Sequence, residues 1–221
     1  HQRGQRILGA EAPAIAHARR LIRDGVLGTV TNVRVSLFAD YSSDPLGART
    51  WRFVRERAGS GVFGDLLSHG IDLAQFAVGR IDTVSALTET FIRERPLPAS
   101  GAASHFSAGV AGGPTAPVEN EDYAAMLARF DGGAVGVFES SRIAIGPRSE
   151  YALEVYGTRG SLRWSFQRLN ELELADDRSG YRTIMAGPGF GEFARFQPGA
   201  GTSMGFDDLK TIEAALFLRS V

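Results

Sequence analysis

The 221-residue sequence contains no cysteine, which excludes a disulfide framework, thiolate-bound zinc and a thiol nucleophile. Lysine is nearly absent: Lys210 is the single one, and every other basic residue is arginine. Lysine general-base or Schiff-base chemistry therefore has one candidate, in a C-terminal amphipathic segment, and is not expected from this chain. No apolar run approaches the roughly 18 residues that a membrane-spanning helix requires, and no secretory h-region opens the chain. Neither sign of charge dominates, with 24 basic against 25 acidic residues and a net charge of −1. A dedicated nucleic-acid binder or polybasic membrane binder is not expected from that balance. Also missing are the Gly-x-Gly-x-x-Gly fingerprint between a strand and a helix, the Walker phosphate loop, the Gly-x-Ser-x-Gly elbow and the His-Glu-x-x-His zinc motif. Gly187-Pro-Gly-Phe-Gly191 is rich in glycine, but a proline sits inside it and no helix starts after it, so it reads as a turn.

What is present is ordinary globular chemistry, 43% hydrophobic and 22% charged. The length allows one large domain or two small ones and a sizeable core. Pro13–Asp24 reads as a helix, with proline in its first turn and Ile15, Ala18, Leu21 and Ile22 on one stripe. Val30–Phe38 is β-branched and reads as a strand, residues 40–60 as a structured loop around Trp51-Arg52-Phe53, and residues 61–78 as a second helix. Seven further strands follow: Thr83–Ile92, Glu119–Phe130, Ala134–Arg142, Glu150–Tyr156, Ser161–Ser165, Glu171–Ala175 and Tyr181–Met185. Asp131-Gly132-Gly133 marks a hairpin between two of them. Stretches 96–118 and 186–203 read as long loops. The chain opens on His1-Gln2-Arg3 and stops at Val221 inside a helical pattern that begins at Phe206, so it is expected to be a fragment.

Helices and strands segregated in this way indicate an α+β fold built on a large, open, predominantly antiparallel sheet. Three good helices cannot cover both faces of seven or eight strands. They are expected on one face, and the other is expected to meet a partner sheet or subunit.

One group of residues carries chemistry. At about 100° per residue, Asp65, His69 and Asp72 of the second helix fall within a sector of roughly 60°, opposite an apolar arc of Leu66, Leu67, Ile71, Leu73 and Ala74. A carboxylate one turn from an imidazole orients it and raises its pKa toward neutrality. A positioned histidine is a natural proton acceptor for a hydroxyl undergoing oxidation. Spacing alone favours a solvated helix face, the default for a surface helix. Three donors on one helix could also bind a divalent ion, but no second ligand cluster is visible, and no metal is expected.

The same helix resembles the C-terminal domain of the Gfo/Idh/MocA oxidoreductases, the glucose–fructose oxidoreductase and inositol dehydrogenase family. The resemblance lies in Gly59-Ser-Gly-Val-Phe-Gly-Asp65-Leu-Leu-Ser-His69-Gly-Ile-Asp72. It extends, in family order, to the Pro13–Val30 segment, Trp51-Arg52-Phe53, the stretch Val118–Arg142, Glu154–Leu162 and the final helix from Asp207. It implies that residues 1–221 are a substrate-binding and dimerisation domain. The Rossmann domain, with its glycine fingerprint and a Glu-Lys-Pro lysine, is absent from this chain. It also implies NAD or NADP held mainly by that other domain, a sugar or polyol substrate, a cytoplasmic location, and a homodimer or higher homo-oligomer through the open sheet face.

By the same resemblance His69 is the general acid/base and Asp65 binds substrate hydroxyls and tunes the imidazole. Asp72 supports from behind, and Trp51 and Arg52 line the pocket. The fragment alone is expected to be inactive. Two alternatives share the fold: NAD-assisted glycoside cleavage or aldose–aldose exchange, and a non-enzymatic sugar-sensing subunit.

Several residues have plainer readings. Trp51 is equally a sugar platform or core filler. Arg52 binds a carboxylated substrate or pairs with Asp44 or Glu56. His17 is expected on the surface, His105 in a mobile loop that could close over a site, and Lys210 on the outer face of the last helix. Asp122 and Tyr123 alternate along a strand and should face opposite sides of the sheet.

Overall fold

The computed structural model describes residues 12–98, 107–191, 196–199 and 201–220. Helix α1 (Pro13–Arg23) starts with proline in its first turn, where the missing N–H has no helical partner to lose. It buries Ala14, Ile15 and Ala18 against the core. Strand β1 (Val30–Ala39) follows, then a 3-10 turn at Trp51–Phe53 and the short helix α2 (Arg55–Ala58). A π-helical turn, Phe63–Leu67, runs directly into α3 (Ser68–Ala77).

The remaining strands are β2 (Ile81–Glu89), β3 (Glu94–Pro96), β4 (Thr115–Pro117), β5 (Tyr123–Phe130), β6 (Val135–Ser141), β7 (Ser149–Gly157), β8 (Gly160–Ser165), β9 (Glu171–Asp176) and β10 (Arg182–Met185). Helix α4 (Phe206–Ser220) ends the described chain. Eight strands form one sheet in the order β10-β9-β8-β7-β1-β6-β5-β2. Every neighbouring pair is antiparallel except β1 and β6, which run parallel from Asn32↔Val135 to Phe38↔Ser141. The expected run of consecutive hairpins is thus split in its centre by the first strand. The turn at 131–133 closes the β5–β6 hairpin as its glycines suggested, with Gly133 at φ +88°.

Stretch 96–118 is not loop throughout, because β3 and β4 pair across its two ends. Helices α1 and α3 pack on one face of the sheet, α3 against β1 and β7 and α1 against β8 and β9. Leu209 and Ile212 of α4 join the same core. Its sheet side is Met126, Phe138, Val35, Leu153 and Trp164, none more than 3% exposed. At about 1.5–3 kcal/mol for each large apolar side chain removed from water, this layer holds α3 rigidly where it crosses β1. Gly70 is required there, since a Cβ would stand 2.6 Å from Val35 Cγ1. Among the described residues no helix packs on the other face of the sheet. Among the described residues no helix is long and apolar enough to cross a membrane.

Candidate active site

The π turn sets the site. The N–H of its first residue, Phe63, and that of Gly61 just before it both donate to Oε1 of Glu121, a carboxylate from the segment leading into β5. An anion there also complements the positive end of the helix. Gly61 lies so close to this segment that a Cβ would approach the Glu121 carbonyl oxygen to 2.1 Å. The glycine-rich helix start is therefore a steric requirement of the contact. One-turn π insertions favour functional sites, and this one carries Asp65.

Asp65 lines a cavity of about 240 Å³ together with Tyr41, Trp51, Arg52 and Arg142. The Tyr41 hydroxyl donates to Asp65 Oδ2 at 2.7 Å, and Arg52 Nη1 donates to the same oxygen at 3.0 Å. Both donors take Oδ2, so Oδ1 is left to accept from a ligand. Tyr41 is held protonated, hence a donor, by burial first and by the Asp65 charge second. Arg52 therefore pairs with Asp65 and not with Asp44 or Glu56. Trp51 is half exposed, its ring beside the Arg52 guanidinium at 5.1 Å, which removes the core-filler reading.

His69 lies one turn further along, partly buried, with its backbone oxygen accepting from the Tyr151 hydroxyl at 2.8 Å. Its Nδ1 is buried and has no hydrogen-bond partner. Burial lowers its pKa below the ordinary 6.5 and outweighs the opposing charge of Asp65, the second influence. The expected upward shift is thus corrected: water lost from around the ring matters more than the nearby carboxylate. Lys210, Glu213 and Asp72 act on the imidazole more weakly. Asp72 also acts on Tyr151, and it does not line the cavity that holds Asp65.

The opposite arc packs as the spacing requires, with Leu67, Leu73 and Ala74 buried and Leu66 and Ile71 partly so. His69 itself does not line the cavity that holds Asp65, so the two share a ridge rather than a single wall.

Several residues at this site escaped sequence reasoning. Asp122, 0% exposed, accepts from Arg142 Nε at 2.9 Å and from the backbone N–H groups of Phe91 and Ile92. Arg142 also donates to Asn120. The turn at 131–133 holds the signal that would have found this pair, because its register brings position 122 opposite 142. Tyr123 faces the open side and donates to Glu139, as the strand alternation suggests. His17 is partly buried and stacked on Phe190 at 4.1 Å, not free on the surface. Lys210 is exposed and paired with Glu213. His105 lies outside the described residues.

The family model of the GFO/IDH/MocA C-terminal domain matches residues 15–163. The chain belongs to this family. Over 214 residues it is 35% identical to the levoglucosan dehydrogenase of Pseudarthrobacter phenanthrenivorans, covering 95% of this chain and 55% of that protein. It is 30% identical over 182 residues to the D-apiose dehydrogenase of Paraburkholderia graminis, covering 80% and 40%. A structure of levoglucosan dehydrogenase in complex with NADH and L-sorbose superposes with a TM-score of 0.83 at 35% identity, over 93% of this chain and 53% of that one. An inositol dehydrogenase homologue from Azotobacter vinelandii complexed with NAD+ gives 0.72 at 25% identity, over 90% and 48%. The chain thus spans about half the length of the relatives it matches.

Proposed function

We propose that the full-length protein oxidises a hydroxyl of a sugar or polyol with NAD or NADP, and that this chain is its substrate-binding and assembly half. The observation that carries this reading is the ridge of Asp65 and His69. One carboxylate oxygen is pinned by two donors and the other is open, beside an imidazole that burial keeps neutral. A nicotinamide, when bound, supplies the hydride acceptor. The ridge fits that chemistry, since the unpartnered Nδ1 and the lowered pKa describe a base ready for a proton.

Asp65 Oδ1 accepts a hydrogen bond from a substrate hydroxyl and fixes the ring. His69 takes the proton of the hydroxyl whose C–H bond breaks, and in the reverse direction returns it. Trp51 and Arg52 shape the wall, Arg52 by holding Asp65. Asp72 supports the helix from behind. The relatives solved with NADH and a sugar, levoglucosan in one case and L-sorbose in another, support the reading. A second copy of the protein covers the apolar part of the open sheet face.

In the full-length protein, His69→Ala should lower kcat for sugar-dependent NADH formation by about 10²–10⁴-fold, with KM changed far less. Undiminished turnover would refute the role. A base with a lowered pKa is active when deprotonated, so oxidation should rise with pH through a value below 6.5 and be flat above it. The fold follows the same sign. The unfolded chain takes up this proton first as pH falls through 6.5, so stability is lost there. The activity limb should be absent from His69→Ala and the stability limb reduced, the remainder coming from His17, whose pKa burial also lowers.

A further inference from the structure

A second cavity, of about 340 Å³, adjoins the first and is larger than it. Tyr41 lines both. Phe53, 2% exposed, touches both the Arg142 guanidinium of the first cavity and the Arg95 guanidinium of the second, 4.7 and 4.5 Å from its ring centre. The two arginines are equally buried, 2% and 1% exposed, but they are partnered differently. Arg142 is neutralised by Asp122. Arg95 donates to two backbone oxygens, of Asp44 and Ser42. No carboxylate among the described residues comes within ion-pair distance of it, and its Nε is buried without a partner. The Ser42 hydroxyl, 3% exposed, is likewise unpartnered. Buried donors left without acceptors are costly; both belong to side chains that line this cavity, and a turn of either side chain offers its donor to a ligand there.

The lining decides what that ligand is. Asp40 and Asp44 stand on the same wall as Arg95 and Ser42, so acceptors and donors alternate and an anion would be repelled. Asp44 Oδ1 is spent on the Leu46 N–H, but the carboxylate charge stays. A neutral polyhydroxy ring satisfies both kinds of group, each hydroxyl donating to one side and accepting from the other. The volume lies within the range of small-molecule sites, about 300–1,000 Å³. We propose that this cavity is a second sugar subsite, so that the protein prefers a disaccharide to a free monosaccharide. The preference rests on the reading of the Asp65 cavity as the place of the reacting ring.

The test measures binding and turnover separately on the full-length protein. Calorimetric titration compares glucose with maltose, cellobiose, isomaltose and gentiobiose, and NADH formation is followed with the same sugars. At least one disaccharide should bind tenfold or more tightly than glucose. Ala108→Trp, an exposed position on the cavity wall, should abolish that advantage while glucose binding changes less than twofold. Ser42→Ala should reduce it at least threefold without blocking the cavity. Equal binding of all five sugars, no binding of any, or an advantage that neither substitution lowers would overturn the subsite. A disaccharide advantage sensitive to both substitutions, with no NADH formed from any of the five sugars, would support the subsite and remove these sugars as substrates of an NAD-dependent reaction, leaving the dehydrogenase reading to the His69→Ala test.

Discussion

Two rows of side chains, one residue apart along every strand, cross the sheet on opposite faces. On the covered face Met126, Phe138, Val35, Leu153 and Trp164 follow one another from β5 to β8 in direct register, all of them buried. On the open face the matching row is Leu127, Val137, Arg34, Glu154 and Arg163, continued by Glu173 on β9. The covered row is apolar from end to end because helices α1 and α3 lie over it. The open row changes character in the middle. Toward β2 it is apolar, with Leu127 61% and Val137 46% exposed, and Leu87 and Val135 beside them. Toward β9 it alternates in charge. The open face is thus apolar toward one edge and charged toward the other, and the second copy proposed above is expected on the apolar side.

The sharpest contrast between the rows is energetic. Phe138 is 0% exposed and stacks near Phe130, their ring centres 6.4 Å apart. Phe138→Ala should cost about 3–5 kcal/mol of unfolding free energy, read from urea denaturation. A cost no larger than that of Leu127→Ala on the open face would mean that the covered row is not the core.

The strands of this sheet were legible in the sequence because alternation leaves a local trace. The position of Asp65 and His69 one turn apart on a helix was legible too, because they sit four residues apart opposite an apolar arc. The parallel pairing of β1 with β6 left no such trace, since neither strand's own pattern names its neighbour. The β3–β4 hairpin was hidden by prolines at Pro96 and Pro117. The π turn was invisible to an even 100° spacing, and with it the way Asp65 swings toward Tyr41, 24 residues away. Burial of His69 depends on what packs over it, so the direction of its pKa shift could not be read from the neighbouring carboxylate alone.

The middle-sized effect concerns the apolar half of the open row. Val137→Asp puts a charge within it, between Leu127 and Arg34 in the cross-strand register. If a second copy covers this half, the substitution should shift the full-length protein from oligomer to monomer in sedimentation at micromolar concentration. The melting temperature of the monomer should change little, because the position is already half exposed. An assembly unaffected by the charge would move the partner surface elsewhere and break the division of the open face.

The smallest effect tests the charged half. Arg34 Nη1 stands 3.8 Å from Glu154 Oε2, with the two side chains 65% and 27% exposed. Such a pair gains little in water, because screening is strong and two long side chains must be held in place. A double-mutant cycle of Arg34→Ala and Glu154→Ala should give a coupling of about 0.2–1 kcal/mol, falling further at high salt. A coupling well above that range, insensitive to salt, would show that water does not reach this half. The partner would then cover the charged ladder as well as the apolar patch, and the change of character along the row would mark two kinds of contact within one interface, not its edge.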